Sequence, residues 1–336
     1  MDPVNPAESG ANHSPNLSAA KRKLLEKYLR GEMTTEAVPG RAISLLPERT
    51  HNHEIVPPWT NKRELSLAQE RLWFLDQLMP GSAVFNVPMA VRIHVGLNLA
   101  ALKRSIAEVV RRHEVLRTTF AQVDGQPVAN VAPAIDVDLP LIDLSSHPKA
   151  KREAKVRALI SAETRRAFNL ARGPLMRAAL LRLSETEHIL LVIMHHIVSD
   201  GWSMVLFFQE LSQIYEAFSS EESSRLAELP IQYADYAAWQ RDWLKGNVQE
   251  RQLAYWKEKL SGELPVLDLP ADRPRPVEQT YNGARKWLVL TESQTEAFAA
   301  LGRSEGATLF MALLAAFKVL LHRYSGLDGR WSRAKA

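Results

Sequence analysis

The run HILLVIM (188–194) is apolar from its second residue to its last and leads directly into HHIVSDGWS (195–203). A strand with no polar alternation has no face to offer to water, so it must be covered on both sides. This demands a layered fold in which helices lie over a sheet. A second apolar run, PLMRAALLRL (174–183), precedes it across the polar turn SETE, and the two read as paired strands.

The surrounding pattern supplies the cover. MAVRIHV (89–95) alternates so that Met89, Val91, Ile93 and Val95 share one side of a strand. Asn98 is placed to cap a helix whose apolar face repeats at Leu99, Leu102, Ile106, Val109, Val110 and His113. LRTTFAQVDGQPVANV (116–131) has the form of a hairpin turning at Asp124-Gly125, and residues 149–168 form a basic helix with one buried stripe. After the histidines, Met204, Phe208, Leu211, Tyr215 and Phe218 recur at helical spacing. The polar stretch SSEESSRLAE (219–228) is the expected boundary between two lobes. Beyond it stand the aromatic helices YADYAAWQRDWL and LAYWKEKL, a Pro-rich connector, the strand candidate RKWLVL and a helix at 307–323. Strands and helices interleave without a strict alternation, which favours an α/β fold with a mixed sheet over a parallel barrel.

With 336 residues, 46% hydrophobic and 24% charged, the chain has the balance of a globular protein of two ordinary domains. Its +4 net charge is spread over 42 basic and 38 acidic side chains, which gives no argument for nucleic acid. It has no cysteine, hence no disulfide, thiolate nucleophile or cysteine-held metal, and a reducing cytoplasmic setting is expected. The longest apolar stretch, TLFMALLAAFKVLL (308–321), contains Lys318 and is shorter than the ~20 residues of a membrane span, so no membrane partner is expected. Residues 1–60 read as a flexible leader. Within it, SAAKRKLLEKYLRG forms a short amphipathic helix that either packs on the main body or docks on another protein.

The two histidines carry the chemistry. Adjacent side chains on a strand point to opposite faces, so His195 and His196 are poorly arranged for one metal ion. One ring should face the packed interior and the other an opening. Asp200 precedes a helix start, where it can cap, orient an imidazole or pair with a cation, and Gly201 leaves a backbone N–H at a helix N-terminus. The pentapeptide Gly302-Arg-Ser-Glu-Gly306 matches G-x-S-x-G, but it follows a helical segment rather than a strand, so Ser304 is not read as a nucleophile. No phosphate loop or dinucleotide fingerprint is present.

Four segments in order, LSLAQERLWFL (65–75), RRHEVLRTTF (111–120), MHHIVSDGWS (194–203) and YADYAAW (233–239), resemble the core motifs of the condensation domains of nonribosomal peptide synthetases, in the chloramphenicol-acetyltransferase-like superfamily. The resemblance runs from about residue 61 to 325. The flanks ELPIQYADY and LDLPADRPRP are similar to members that join two L-configured residues. The resemblance implies two acetyltransferase-like α/β lobes with a tunnel between them. Its implied reaction is attack of an aminoacyl amine on a donor aminoacyl or peptidyl thioester. Both substrates would ride as phosphopantetheine thioesters on carrier-protein domains of adjacent synthetase modules, with no cofactor bound directly. By the same resemblance His196 either takes the amine proton or positions the amine and stabilises the intermediate, Gly201 contacts the reacting centre, His195 packs, and Asp200 is held by an ion pair with Arg112, supported by Arg117. Trp73, Tyr233 and Trp239 are expected in the core.

The expected divisions are the leader at 1–60, an N-terminal lobe at 61–220 carrying the histidine motif, the start of a second lobe at 221–325 and an atypical tail at 326–336. The family pattern would continue past HRYSG into an apolar strand and further motifs, whereas LDGRWSRAKA follows here. The expectation is a complete N-terminal lobe with an incomplete second one, leaving apolar surface unpaired. Against amide formation stand two alternatives: a catalytically inactive fragment or carrier-binding module, and an epimerisation domain, which shares the histidine motif.

Overall fold

The computed structural model describes residues 62–262, 268–274, 281, 283–284 and 286–326. The chain divides into two units, Met1–Asn52 and His53–Ala336; the first, with the leader helix expected at 18–31, lies outside the described residues, as does the tail from 327.

Two sheets organise the second unit. The larger has the order β2-β7-β6-β5, built from β2 (Asn86–Ile93), β5 (Leu141–Asp143), β6 (Met176–Arg182) and β7 (His188–His195). β7 pairs antiparallel with β2 and β6, while β5 runs parallel to β6, so the sheet is mixed as the sequence pattern requires. All eight residues of β7 are buried. Neighbouring residues face opposite ways, and the packing follows suit. Leu181 and Ile189 join Val156 of helix α3 (Lys149–Arg165) in one cluster. Leu180 and Leu190 join the main core with Leu102, Ile106 and Val109 of α2 (Leu99–Arg112) and Met204, Phe207 and Leu211 of α4 (Gly201–Ser219).

The smaller sheet, β1-β4-β3, carries the expected hairpin: β3 (Thr118–Val123) and β4 (Gln126–Val131) turn through Asp124 (φ 53°) and Gly125 (φ 80°), the paired left-handed conformation of a two-residue hairpin loop. Before it, β1 (Lys62–Arg63) leads into α1 (Leu67–Leu78). Ser66 and Gln69 form a reciprocal capping box at the start of α1. A 3-10 turn, Glu114–Arg117, links α2 to β3.

Several expectations shift. β2 begins three residues earlier than MAVRIHV and ends at Ile93, leaving Val95 exposed. Asn98 caps α2 as read, accepting the Ala101 N–H at 3.0 Å, but Leu99 is exposed and His113 is the C-cap beyond the last helical residue. In α4 the buried stripe is Met204, Phe207, Leu211, Ile214 and Ala217; Phe208, Tyr215 and Phe218 flank it half-buried. The stripe advances by 3.6 residues per turn, so a spacing of 3 or 4 alone leaves its exact line open.

Helix α5 (Tyr233–Trp243) docks on the other motif segments, whereas α6 (Asn247–Lys259) buries no residue. Lys286–Leu290 of the RKWLVL strand candidate has no ladder partner among the described residues, and Trp287, Leu288 and Val289 are each more than four-fifths exposed. Helices α7 (Glu292–Ser304) and α8 (Leu309–Ser325) pack on each other. The G-x-S-x-G segment closes α7 and turns into α8, and the Ser304 hydroxyl donates to the Leu301 carbonyl. No single helix among the described residues is long and apolar enough to cross a membrane.

Candidate active site

The end of β7 delivers the two histidines to different surroundings. His195 is 1% exposed and His196 is exposed. The His195 N–H donates to Leu175 O at 3.0 Å, and its Nδ1 accepts the Ile197 N–H at 3.1 Å. The acceptor role at Nδ1 places the ring proton on Nε2. That Nε2 has no partner among the described residues, and the rings of Phe85 and Phe168 lie edge-on at 6.0 and 6.2 Å. Burial, followed by the neighbouring His196, pushes His195 down to about 4, so it stays neutral. Phe168 is itself held by Arg177, whose guanidinium stacks on the ring at 3.8 Å and donates to the Arg166 and Glu163 carbonyls at the end of α3.

His196 is held differently. Its backbone N–H donates to Phe85 O at 2.8 Å, and its Nδ1 lies 2.7 Å from Ser199 O. A carbonyl only accepts, so Nδ1 carries a proton, and Nε2 is the ring nitrogen that remains to exchange one.

Asp200 is the N-cap of α4. Its Oδ1 accepts the Ser203 N–H at 2.7 Å and the Ser203 hydroxyl at 2.6 Å, and these bonds hold its carboxyl below the usual range, with a smaller contribution from the His196 ring. The expected ion pair with Arg112 is not formed. Arg112 is 7% exposed and donates instead to Glu210 at 3.1 Å and to Ala227 O; His113 Nε2 meets the same Glu210 oxygen at 2.8 Å. Arg117 pairs with Glu114 at 3.6 Å and donates to Ala132 O. The physical reason is competition. Asp200, itself exposed, satisfies its charge at the cap, while Glu210, farther along α4, is the carboxylate that meets the end of α2. Gly201 opens α4; its N–H has no acceptor among the described residues, and a Cβ added there would meet nothing within 4 Å.

Residues from the other motifs brace this loop. Gln69 donates through Nε2 to Ile197 O at 3.3 Å and accepts the Ser66 N–H at 3.1 Å. The Ser66 hydroxyl lies 3.0 Å from the Tyr233 hydroxyl. Gln232, the N-cap of α5, donates to Arg112 O at 2.9 Å and accepts the Glu114 N–H at 3.0 Å. Trp73 is buried as expected; Tyr233 is half-buried with its hydroxyl on Ser66, and Trp239 is half-buried and stacked on Trp243 at 5.6 Å. Glu210 and Gln69 were not singled out from the sequence. Gln69 had a signal in the S-x-x-Q spacing of a capping box, but its second bond, to Ile197, had none.

The family profile for the condensation domain matches residues 60–329, which is most of the chain. The chain belongs to the condensation-domain family. Among its relatives, a linear gramicidin synthase polypeptide of Brevibacillus parabrevis is 50% identical over 296 residues, covering 87% of this chain and 4% of that protein. Phosphinothricin tripeptide synthetase PhsC of Streptomyces viridochromogenes is 40% identical over 310 residues, covering 92% and 27%. This condensation domain therefore spans a small part of the length of the curated relatives it matches. Among solved structures, the X-domain from teicoplanin biosynthesis superposes with a TM-score of 0.72 at 27% identity, over 84% of this chain and 60% of that one. The first condensation domain of the CDA synthetase gives 0.65 at 25%, over 80% and 63%.

Proposed function

We propose that this condensation domain forms an amide bond between a donor acyl or peptidyl thioester and the amine of an acceptor aminoacyl thioester, both carried on phosphopantetheine arms of carrier domains in neighbouring synthetase modules. The observation that carries the reading is the hydrogen bond from His196 Nδ1–H to Ser199 O, which fixes the ring of an exposed residue and leaves Nε2 as the nitrogen that can exchange a proton. An α-amino group has an ordinary pKa of about 8, and the attacking nitrogen must lose a proton as the C–N bond forms. In this scheme the amine attacks the thioester carbonyl and His196 Nε2 takes the proton. The tetrahedral intermediate then collapses, the C–S bond breaks, and the imidazolium returns the proton to the departing thiolate. Gly201 N–H, at the positive end of α4, supplies a donor for the developing oxyanion. Asp200 holds the start of α4, and His195 fixes the loop as a neutral packed ring. The work is assigned to the cytoplasm, and the lobe division near residue 220 belongs to this proposal.

A second reading, a binding module without chemistry, is favoured by the likeness to the teicoplanin X-domain, whose complex with OxyB is a solved structure with 28% identity to this chain. One experiment separates the readings. Donor- and acceptor-loaded carriers are incubated with the chain, and the acceptor carrier is weighed by mass spectrometry. Amide formation shifts the donor acyl group onto the acceptor carrier. Deuterium wash-out from an acceptor α-carbon without transfer identifies an epimerase, and carrier binding with neither identifies a binding module.

A further inference from the structure

We propose that Gln69 is a positioning residue for His196, acting through the carbonyl of Ile197; the inference rests on His196 being the proton acceptor proposed above. The ring of His196 is aimed by Ser199 O, so its direction depends on where the turn His195–Asp200 holds that carbonyl. Most bonds that shape the turn are internal to it: Val198 N–H to His195 O at 3.0 Å, Ile197 N–H to His195 Nδ1 at 3.1 Å, and the Ser199 hydroxyl to His195 O at 3.4 Å. An internally bonded turn can still rock as a body. Gln69 ties it to another element.

Gln69 is 4% exposed, in the first turn of α1. A buried amide there is costly unless both ends are bonded, and both are. Oε1 accepts the Ser66 N–H, and Nε2 donates to Ile197 O. Ile197 O has no other donor among the described residues, because α4 begins beyond it and its first carbonyl acceptor is Asp200 O. The amide has one workable orientation. Flipped, it would set its NH₂ against the Ser66 N–H and its oxygen against Ile197 O, two repulsive contacts in place of two bonds. Ser66 is braced in turn by the Tyr233 hydroxyl and by the start of α1. The chain of contacts Tyr233–Ser66–Gln69–Ile197 thus joins three of the motif segments.

The test uses the full chain labelled with ¹⁵N-histidine, with near-UV circular dichroism to report folding. In the native protein the His196 Nδ1 proton is expected as a slowly exchanging resonance. Gln69→Met fills similar volume without a donor. With the fold retained, the resonance should lose its protection, and kcat for amide formation should fall by about 10- to 100-fold with acceptor KM unchanged. Gln69→Glu gives a conditional rescue. As a neutral acid it can accept from Ser66 and donate to Ile197 O, and as a carboxylate it cannot donate. The protected resonance should therefore be present in mildly acid solution and lost as that carboxyl ionises, relative to wild type at each pH. A folded Gln69→Met with an unchanged His196 resonance overturns the proposal, as does a Gln69→Glu series that tracks wild type across pH. Should Gln69→Met unfold, the Gln69→Glu series decides alone. If wild type forms no amide, the functional reading fails while the resonance still judges the role of Gln69.

Discussion

Replacing His195 by Asn should remove an acid-sensitive part of the stability. Asn can still accept the Ile197 N–H through Oδ1, the role that Nδ1 fills at 3.1 Å, but it does not titrate. The native ring lies at about 4, against about 6.5 for a histidine in the unfolded chain. Its folded value is depressed, so the unfolded chain takes up the proton first. The contribution is complete above about 6.5, is lost as the pH falls toward 4, and changes no further below that. A depression of about 2.5 units corresponds to roughly 3 kcal/mol when the loss is complete, and most of it is gone by about pH 4.5. Urea unfolding followed by circular dichroism at a series of pH values measures this directly. His188, buried and also depressed, titrates in both proteins and cancels in the difference. The wild-type curve should fall more steeply than the variant's by roughly 2 to 3 kcal/mol across the window. Parallel curves would show that His195 is not held neutral by burial and would refute the assignment of its environment.

A double-mutant cycle should show strong coupling between Arg112 and Glu210, and Arg112→Ala should cost about 3 kcal/mol because it breaks a largely buried ion pair and leaves the half-buried Glu210 carboxylate with His113. Asp200→Ala should cost only about 1 kcal/mol, the value of a helix cap, and a cycle with Arg112 should show no coupling; thermal melts read both. Gly201→Ala should leave the melting midpoint within the change expected of about 0.5 kcal/mol, since its Cβ meets nothing, yet should slow acyl transfer by intruding beside the free N–H. The apolar residues Trp287, Leu288, Val289, Phe310 and Phe317 are each more than half exposed, so the chain should bind a hydrophobic dye and scatter light increasingly with concentration; Phe310→Lys with Trp287→Lys should reduce both.

The layered core was legible because its strongest elements have a pattern that admits one arrangement. HILLVIM cannot face water, Asn98 sits where a cap is needed, and Asp-Gly closes the hairpin. The site was legible as far as the asymmetry of His195 and His196, which follows from strand alternation. The partners of charged groups were not. Arg112, Arg117, Glu114, Glu210 and Asp200 are all reasonable pairings on paper, and it is the packing of α2 against α4 that brings Glu210 to Arg112. Long-range amide bonds such as Gln69 to Ile197 leave no periodic trace either, since they join residues 128 positions apart. RKWLVL failed as a strand for a related reason: a strand is made by its neighbour, and Lys286–Leu290 has none among the described residues.

Single-turnover amide formation between two loaded carriers, compared between the native chain and His196→Ala, tests the central claim most directly. Loss of a general base predicts a fall of about 10²- to 10⁴-fold in the rate of transfer, with carrier binding unchanged. Transfer at the native rate in His196→Ala would contradict the account, because the exposed Nε2 would then have no part in moving the amine proton.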